Sequence, residues 1–167
     1  MSTTLLNAFL KATAEVLQTE AGLTIQRGTV SLQDSSQTST DITTLLNIVG
    51  DVRGVVLFGM DIPMALQIVS KMLGYSHPEF DDLAQSGIAE LGNVIAGIAT
   101  VHLAQAGYEC DISVPTLIIG NNIMVSTLDL QRLVVPLHTE MGTMEIHLAL
   151  KEQAKSNRNG EVHQLKV

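Results

Sequence analysis

Cysteine, aromatic residues and positive charge are all scarce in this chain. Its 167 residues include one cysteine, Cys110, no tryptophan, and only 3% aromatics. A lone cysteine makes no intrachain disulfide and builds no cysteine-ligated metal site. With so few aromatic faces, base stacking is removed as a route to single-stranded nucleic acid. Lys and Arg number 9 against 17 Asp and Glu, a net charge of −8. The imbalance is uneven, since residues 1–150 carry −10 and residues 151–167 carry +2. Between Lys71 and Arg132 there is no Lys or Arg, while Glu79, Asp81, Asp82, Glu90, Glu109, Asp111 and Asp129 all fall there. Such a surface repels phosphate backbones and argues against nucleic-acid binding. It suits a basic protein partner, although acidic charge also serves solubility alone. The start, Met1-Ser2-Thr3-Thr4, lacks a basic n-region and an apolar h-region. No apolar run is read as long enough to span a bilayer. The expectation is a soluble, cytoplasmic protein with no membrane association.

What is present fits one domain over residues 1–150, followed by a polar, frayed tail at 151–167. A chain of this length buries roughly 70% of its unfolded surface and folds without staples. Residues 2–21 read as a helix capped by Ser2 or Thr3 and stopped by Gly22, with Leu5, Leu6, Phe9, Leu10, Val16 and Leu17 as its apolar stripe. Leu23–Leu32 reads as a strand and Asp34–Ser39 as a polar turn. Ile42, Thr44, Leu46 and Ile48 alternate in a strand over 41–49, which Gly50-Asp51 turns into a second at Val55–Met60. Asp61 and Pro63 open a helix at 62–73 that Gly74 ends. Beyond Pro115 come β-rich runs at Thr116–Ile119, Ile123–Ser126, Leu133–His138 and Thr143–Leu150, the last two forming a hairpin. The fold class is therefore α+β, an antiparallel-rich sheet with long helices packed on it.

The longest predicted helix starts at Asp81-Asp82, where acids favour a helix N-terminus, and runs to about Ala106, with Gly107 as its stop. Ile88, Leu91, Ile95, Ile98 and His102 make one stripe along it. Ser86, Glu90, Asn93 and Gly97 make a second on another face, polar or bare, with Glu90 and Asn93 one turn apart. Gly87, Gly92 and Gly97 each cost about 1 kcal/mol against Ala in a helix interior. Either close packing or room for a partner's backbone is the return. A Glu-x-x-Asn pair taken alone is also what a solvated helix face looks like.

In its context, Glu90-Leu91-Gly92-Asn93-Val94-Ile95-Ala96-Gly97 with Ser86 four residues before Glu90 and Pro115 twenty-two residues after Asn93, the pair resembles the CheC/CheX family of chemotaxis phosphatases, and CheX most closely. The resemblance extends from the first helix to the hairpin ending near Leu150. CheC-type members often carry two such helices. Here Glu15 is followed at the matching place by Gln18, and Glu20 by Leu23, which leaves one site.

Family resemblance implies the CheC/CheX fold, a CheY-like receiver domain as partner, its phosphoaspartate as substrate, and a CheX-like homodimer joined through sheet edges. Asn93 would hold the attacking water, and Glu90 would pair with the receiver's active-site lysine. Ser86, Gly97 and Pro115 would line the contact. This chain is expected to bind no cofactor or metal of its own, with Mg2+ on the receiver; its histidines, at 77, 102, 138, 147 and 163, are scattered. His138 and His147 fall on the last hairpin and read as surface residues; Cys110 reads as a small packed residue. Two other classes stay open. A non-catalytic receiver-binding or flagellar-switch adaptor of the same fold has no use for an amide at the attack position. A small-molecule sensor would show an enclosed apolar pocket.

Overall fold

The computed structural model describes residues 1–33, 36–37, 40–127 and 129–154. Three helices form where the caps and stripes place them. The first, α1 (Thr3–Ala21), ends at Gly22, whose φ of 66° lets its N–H reach back to Gln18 O. Ser2 occupies the N-cap position without a side-chain bond. The second, α2 (Ile62–Leu73), begins at Asp61, which accepts from the Met64 N–H at 2.8 Å. The third, α3 (Asp82–Gln105), is 24 residues long.

The strands are β1 (Gln26–Arg27), β2 (Ser31–Gln33), β3 (Ser36–Gln37), β4 (Ile42–Gly50), β5 (Val52–Met60), β6 (Cys110–Ile112), β7 (Thr116–Ile119), β8 (Met124–Val125), β9 (Arg132–Thr139) and β10 (Gly142–Glu152). The main sheet runs β1-β9-β10-β5-β4-β6, with β2 also on β9 and β7 also on β4. Every ladder is antiparallel. One sheet face presents Ile42, Leu46, Ile48, Val56, Phe58, Met60, Val135, Leu137, Met144, Ile146 and Leu148 to the helices, and these join buried residues of all three helices in one core. The period of two along each strand selects that face.

Several sequence expectations change. The strand expected at Leu23–Leu32 is broken into β1 and β2. Three residues, 28–30, face only two on β9 between the pairs Arg27↔Leu137 and Ser31↔Val134, so the edge bulges. Pro136, which has no N–H to donate, sits at that point, and a Cβ on Gly28 would lie 2.9 Å from its ring. Part of the expected polar turn at 34–39 is the two-residue ladder of β3 with β8; residues 34, 35, 38 and 39 lie outside the described residues. Strand β6 was not foreseen, being only three residues long. Strand β10 continues two residues past Leu150, and the Gln153 N–H donates to Asp51 O at 2.8 Å, so the polar tail starts later than 151; residues 155–167 lie outside the described residues. Strand β10 is also central, flanked by β9 and β5, which removes it as a sheet edge.

Length and composition alone would let α3 cross a membrane, contrary to the expectation that no run is long enough. Its apolar residues have another destination. Ala84, Ile88, Leu91, Ile95, Ala96, Ala99 and Leu103 are buried, and α3 packs against α1, α2, β4, β6 and β7.

The two histidines of the last hairpin do not face each other. His138 stands opposite Thr143 and contacts its hydroxyl at 3.0 Å, whereas His147 stands opposite Val134. His147 is buried, not a surface residue; it lies between Leu57 and Val134 and contacts Glu145 at 3.1 Å. Cys110 is partly buried against the core, and desolvation pushes its thiol pKa up.

Candidate functional site

The placement of the site begins at the cap of α3. Asp81 Oδ1 accepts from the Ala84 N–H at 3.0 Å and meets His77 Nε2 at 2.8 Å. The amide first, and the histidine second, hold its carboxyl below the ordinary carboxylate pKa. Nearly six turns further on, His102 Nε2 lies 3.2 Å from Glu15 of α1. Cap, histidine contact and buried stripe together fix the rotation of α3 about its axis.

That rotation turns Ser86 and Glu90 to solvent, with Asn93 and Gly97 partly exposed beside them. The Asn93 Nδ2 amide donates to Glu90 Oε2 at 3.5 Å, the loose limit of a hydrogen bond, so neither group is held by the other. Among the described residues no Lys, Arg or His forms an ion pair with Glu90. Glu15, one of the two glutamates that lack the matching Asn, is by contrast engaged with His102 and lies 4.0 Å from Lys11. Pro115 lies off the helix, between β6 and β7, strands against which α3 packs. The neighbouring Ser113 anchors this bend on β4, its N–H donating to Asn47 O and its Oγ accepting from the Asn47 N–H, each at 2.9 Å. Among the described residues, no three His, Cys, Asp or Glu side chains come together in a group that could hold a metal ion.

The three helix glycines separate. A Cβ on Gly92 would lie 2.7 Å from Thr44 Cγ2 and 3.1 Å from Thr44 Cβ, so this glycine lets α3 settle onto the sheet. On Gly87 the nearest neighbour would be Val69 at 3.4 Å, an ordinary contact. On Gly97 a Cβ would meet nothing within 4 Å. Gly92→Ala should therefore destabilise: forcing the stiff Thr44 side chain aside costs about 1–3 kcal/mol, against a helix-propensity gain of about 1. Gly97→Ala should stabilise by up to about 1 kcal/mol, a rise of roughly 2–4 °C in melting temperature. Thermal melts of the two variants check the contrast; the same sign for both would show that the glycines serve one purpose.

Sequence reasoning missed two members of this face. Leu83 is 47% exposed and Val101 55% exposed, and both project on the side of Glu90. The signal was present in the spacing, since 83, 90, 97 and 101 are separated by near-whole numbers of turns.

An antiparallel sheet backed by α1, α2 and α3, with one polar helix face left open, defines the class as α+β. A CheC-like superfamily protein from Shewanella sp. PV-4 superposes with a TM-score of 0.83 at 27% identity, over 90% of this chain and 99% of that one. Residues 42–138, more than half of the chain, match the family described as "Chemotaxis phosphatase CheX". The chain belongs to the CheX family of chemotaxis phosphatases. The CheY-P phosphatase CheX of Thermotoga maritima is 26% identical over 153 residues, covering 90% of this chain and 98% of that protein. A CheX–CheY–BeF3–Mg complex from Borrelia burgdorferi matches at 27% identity and a TM-score of 0.75, over 88% of this chain and 97% of that one.

Proposed function

We propose that this chain hydrolyses the phosphoaspartate of a CheY-like receiver domain, with Asn93 holding the attacking water and Glu90 pairing with the receiver's active-site lysine. The observation that carries the reading is the pair itself: two groups one turn apart on an open helix face, the acid without a cation partner among the described residues. In the reaction a water oxygen attacks phosphorus, the bond from phosphorus to the aspartyl oxygen breaks, and the products are a carboxylate and inorganic phosphate. Positioning is most of what such a step requires. An amide serves it well, because it both donates to and accepts from a water and carries no charge to repel the phosphoryl oxygens. Mg2+ is assigned to the receiver. Ser86 and Gly97 extend the contact along α3, with Gly97 leaving room for a close partner, and Pro115 borders it on the sheet edge.

The names of the relatives support this reading: one is a CheY-P phosphatase and another was solved in complex with CheY. The sensor alternative finds little support. A groove of about 670 Å³ beside the end of α2 is open and mixes Leu66, Tyr75 and Met141 with Ser70, Lys71 and His77. Mixing the chain with each phosphorylated receiver of its source and following phosphate decay tests the proposal. Accelerated decay of at least one receiver is the expected result, and binding without acceleration would make the chain an adaptor.

The proposal includes a cytoplasmic homodimer joined at a sheet edge. With β10 central, the edges left are the short pieces β1 and β2 on one side and β6 and β7 on the other. Light scattering at micromolar concentration should give twice the chain mass, and a monomer mass would count against it.

A further inference from the structure

We infer that Leu83 and Val101, at the two ends of the exposed face of α3, are apolar anchors of the proposed receiver contact, and that these side chains set affinity for the partner without taking part in the chemistry. The inference rests on the proposed phosphatase function and deepens it. Leu83 and Val101 are 18 residues apart, five whole turns, so they lie on one line along the helix about 27 Å from end to end. Glu90 lies within about 20° of that line at 100° per residue, and Gly97 within about 40°. The buried residues Ile88, Gly92, Ala96, Ala99 and Leu103 occupy the opposite side.

The sequence along the line is then a large apolar side chain, a carboxylate, an open glycine and a second apolar side chain. A monomeric surface tolerates single exposed apolar residues. Two of them in line with an acid that has no cation partner among the described residues form the pattern of a docking strip, with apolar anchors at the ends and a charge that fixes register between them. The dimensions select the occupant. A receiver-sized domain of about 120 residues is roughly 35 Å across, by its expected radius of gyration, and covers both anchors at once. A small phosphorylated molecule seated at Asn93 reaches neither: Asn93 is about 15 Å along the axis from Leu83 and about 12 Å from Val101. The cation that would meet Glu90 belongs to the partner, and the lack of Lys and Arg between Lys71 and Arg132 leaves the strip acidic overall.

The test is steady-state decay of a phosphorylated receiver with Leu83→Ser, Val101→Ser and the double variant, beside the wild type. Both positions are solvent-exposed, so the fold is retained, and circular dichroism checks that. The expected result is a rise in KM of roughly tenfold for each single variant, more for the pair, with kcat unchanged. Unchanged KM in the double variant, while the wild type accelerates decay, overturns the inference and leaves the phosphatase function standing. A fall in kcat with KM unchanged also overturns it, because the two residues would then act on the chemistry. A double variant that becomes monomeric while its KM holds assigns the strip to a second copy of the chain and overturns the inference as well. No acceleration by the wild type with any receiver overturns the function and this inference together.

Discussion

Asn93→Ala should leave receiver binding nearly untouched and remove most of the catalysis. The amide makes one contact in a broad interface, so its loss changes the dissociation constant little. Its proposed work is to hold a water in line with phosphorus, and that work is done only as the reaction proceeds. An interaction made only in the transition state lowers kcat and kcat/KM together when it is removed. By analogy with lost oxyanion donors, the fall should be on the order of 10²–10³. Asn93→Asp should be no better than Ala, since its charge would face the phosphoryl oxygens. Fold stability is not at issue. Asn93 is partly exposed and, among the described residues, its one side-chain bond is the 3.5 Å contact with Glu90. If Asn93 were only a solvated helix residue, Ala would be neutral or mildly stabilising and activity would be full. Phosphate decay and binding measured separately on the same variant distinguish these cases, and full activity in Asn93→Ala would sink the proposed mechanism.

What the sequence disclosed follows from where its physics is local. Helix ends are local: Asp61 and Asp81 cap, Gly22 and Gly74 adopt positive φ, and the boundaries of α1, α2 and α3 fall within one or two residues of their expected places. The alternation in β4 is local as well. The short strands are not. The pieces β1, β2 and β6 exist because a longer neighbour offers a ladder, and their extent is decided by Pro136 and Gly28 or by the reach of β4, far away in sequence. The same limit applied to the site. Ser86, Glu90, Asn93 and Gly97 share a face because a helix has a fixed period, so their grouping was legible. Which face would be buried was legible from Ile88, Leu91 and Ile95. The division among the glycines was not, because it depends on Thr44 lying beneath Gly92 and nothing lying over Gly97. His147 was misjudged for a similar reason: its burial comes from strands β5 and β9 on either side of β10, not from its own neighbours in the chain.

Glu90→Lys tests the other half of the site and should abolish docking rather than chemistry. Glu90 is exposed, and among the described residues it has no basic partner, so reversing its charge breaks no internal ion pair and should leave the fold intact. In the complex the change is severe. On the proposed pairing, a charge-assisted bond to the receiver's lysine is lost, and two ammonium groups are brought together in place of an ion pair. Removing one member of a desolvated interfacial pair costs on the order of 2–5 kcal/mol, so binding should weaken by at least about 30-fold. Salt provides an independent check. Wild-type binding should weaken as ionic strength rises, because the attraction is screened over about 8 Å at physiological salt. The Glu90→Lys variant should lose that dependence or reverse it. Glu90→Gln, which removes the charge but keeps the shape, should fall between the two. With receiver at saturating concentration, Glu90→Gln should recover most of its kcat, because the proposed mechanism gives the water to Asn93 and not to the acid. If Glu90→Lys binds and dephosphorylates like the wild type, the receiver docks on another face, and the open stripe of α3 is only a solvated helix surface.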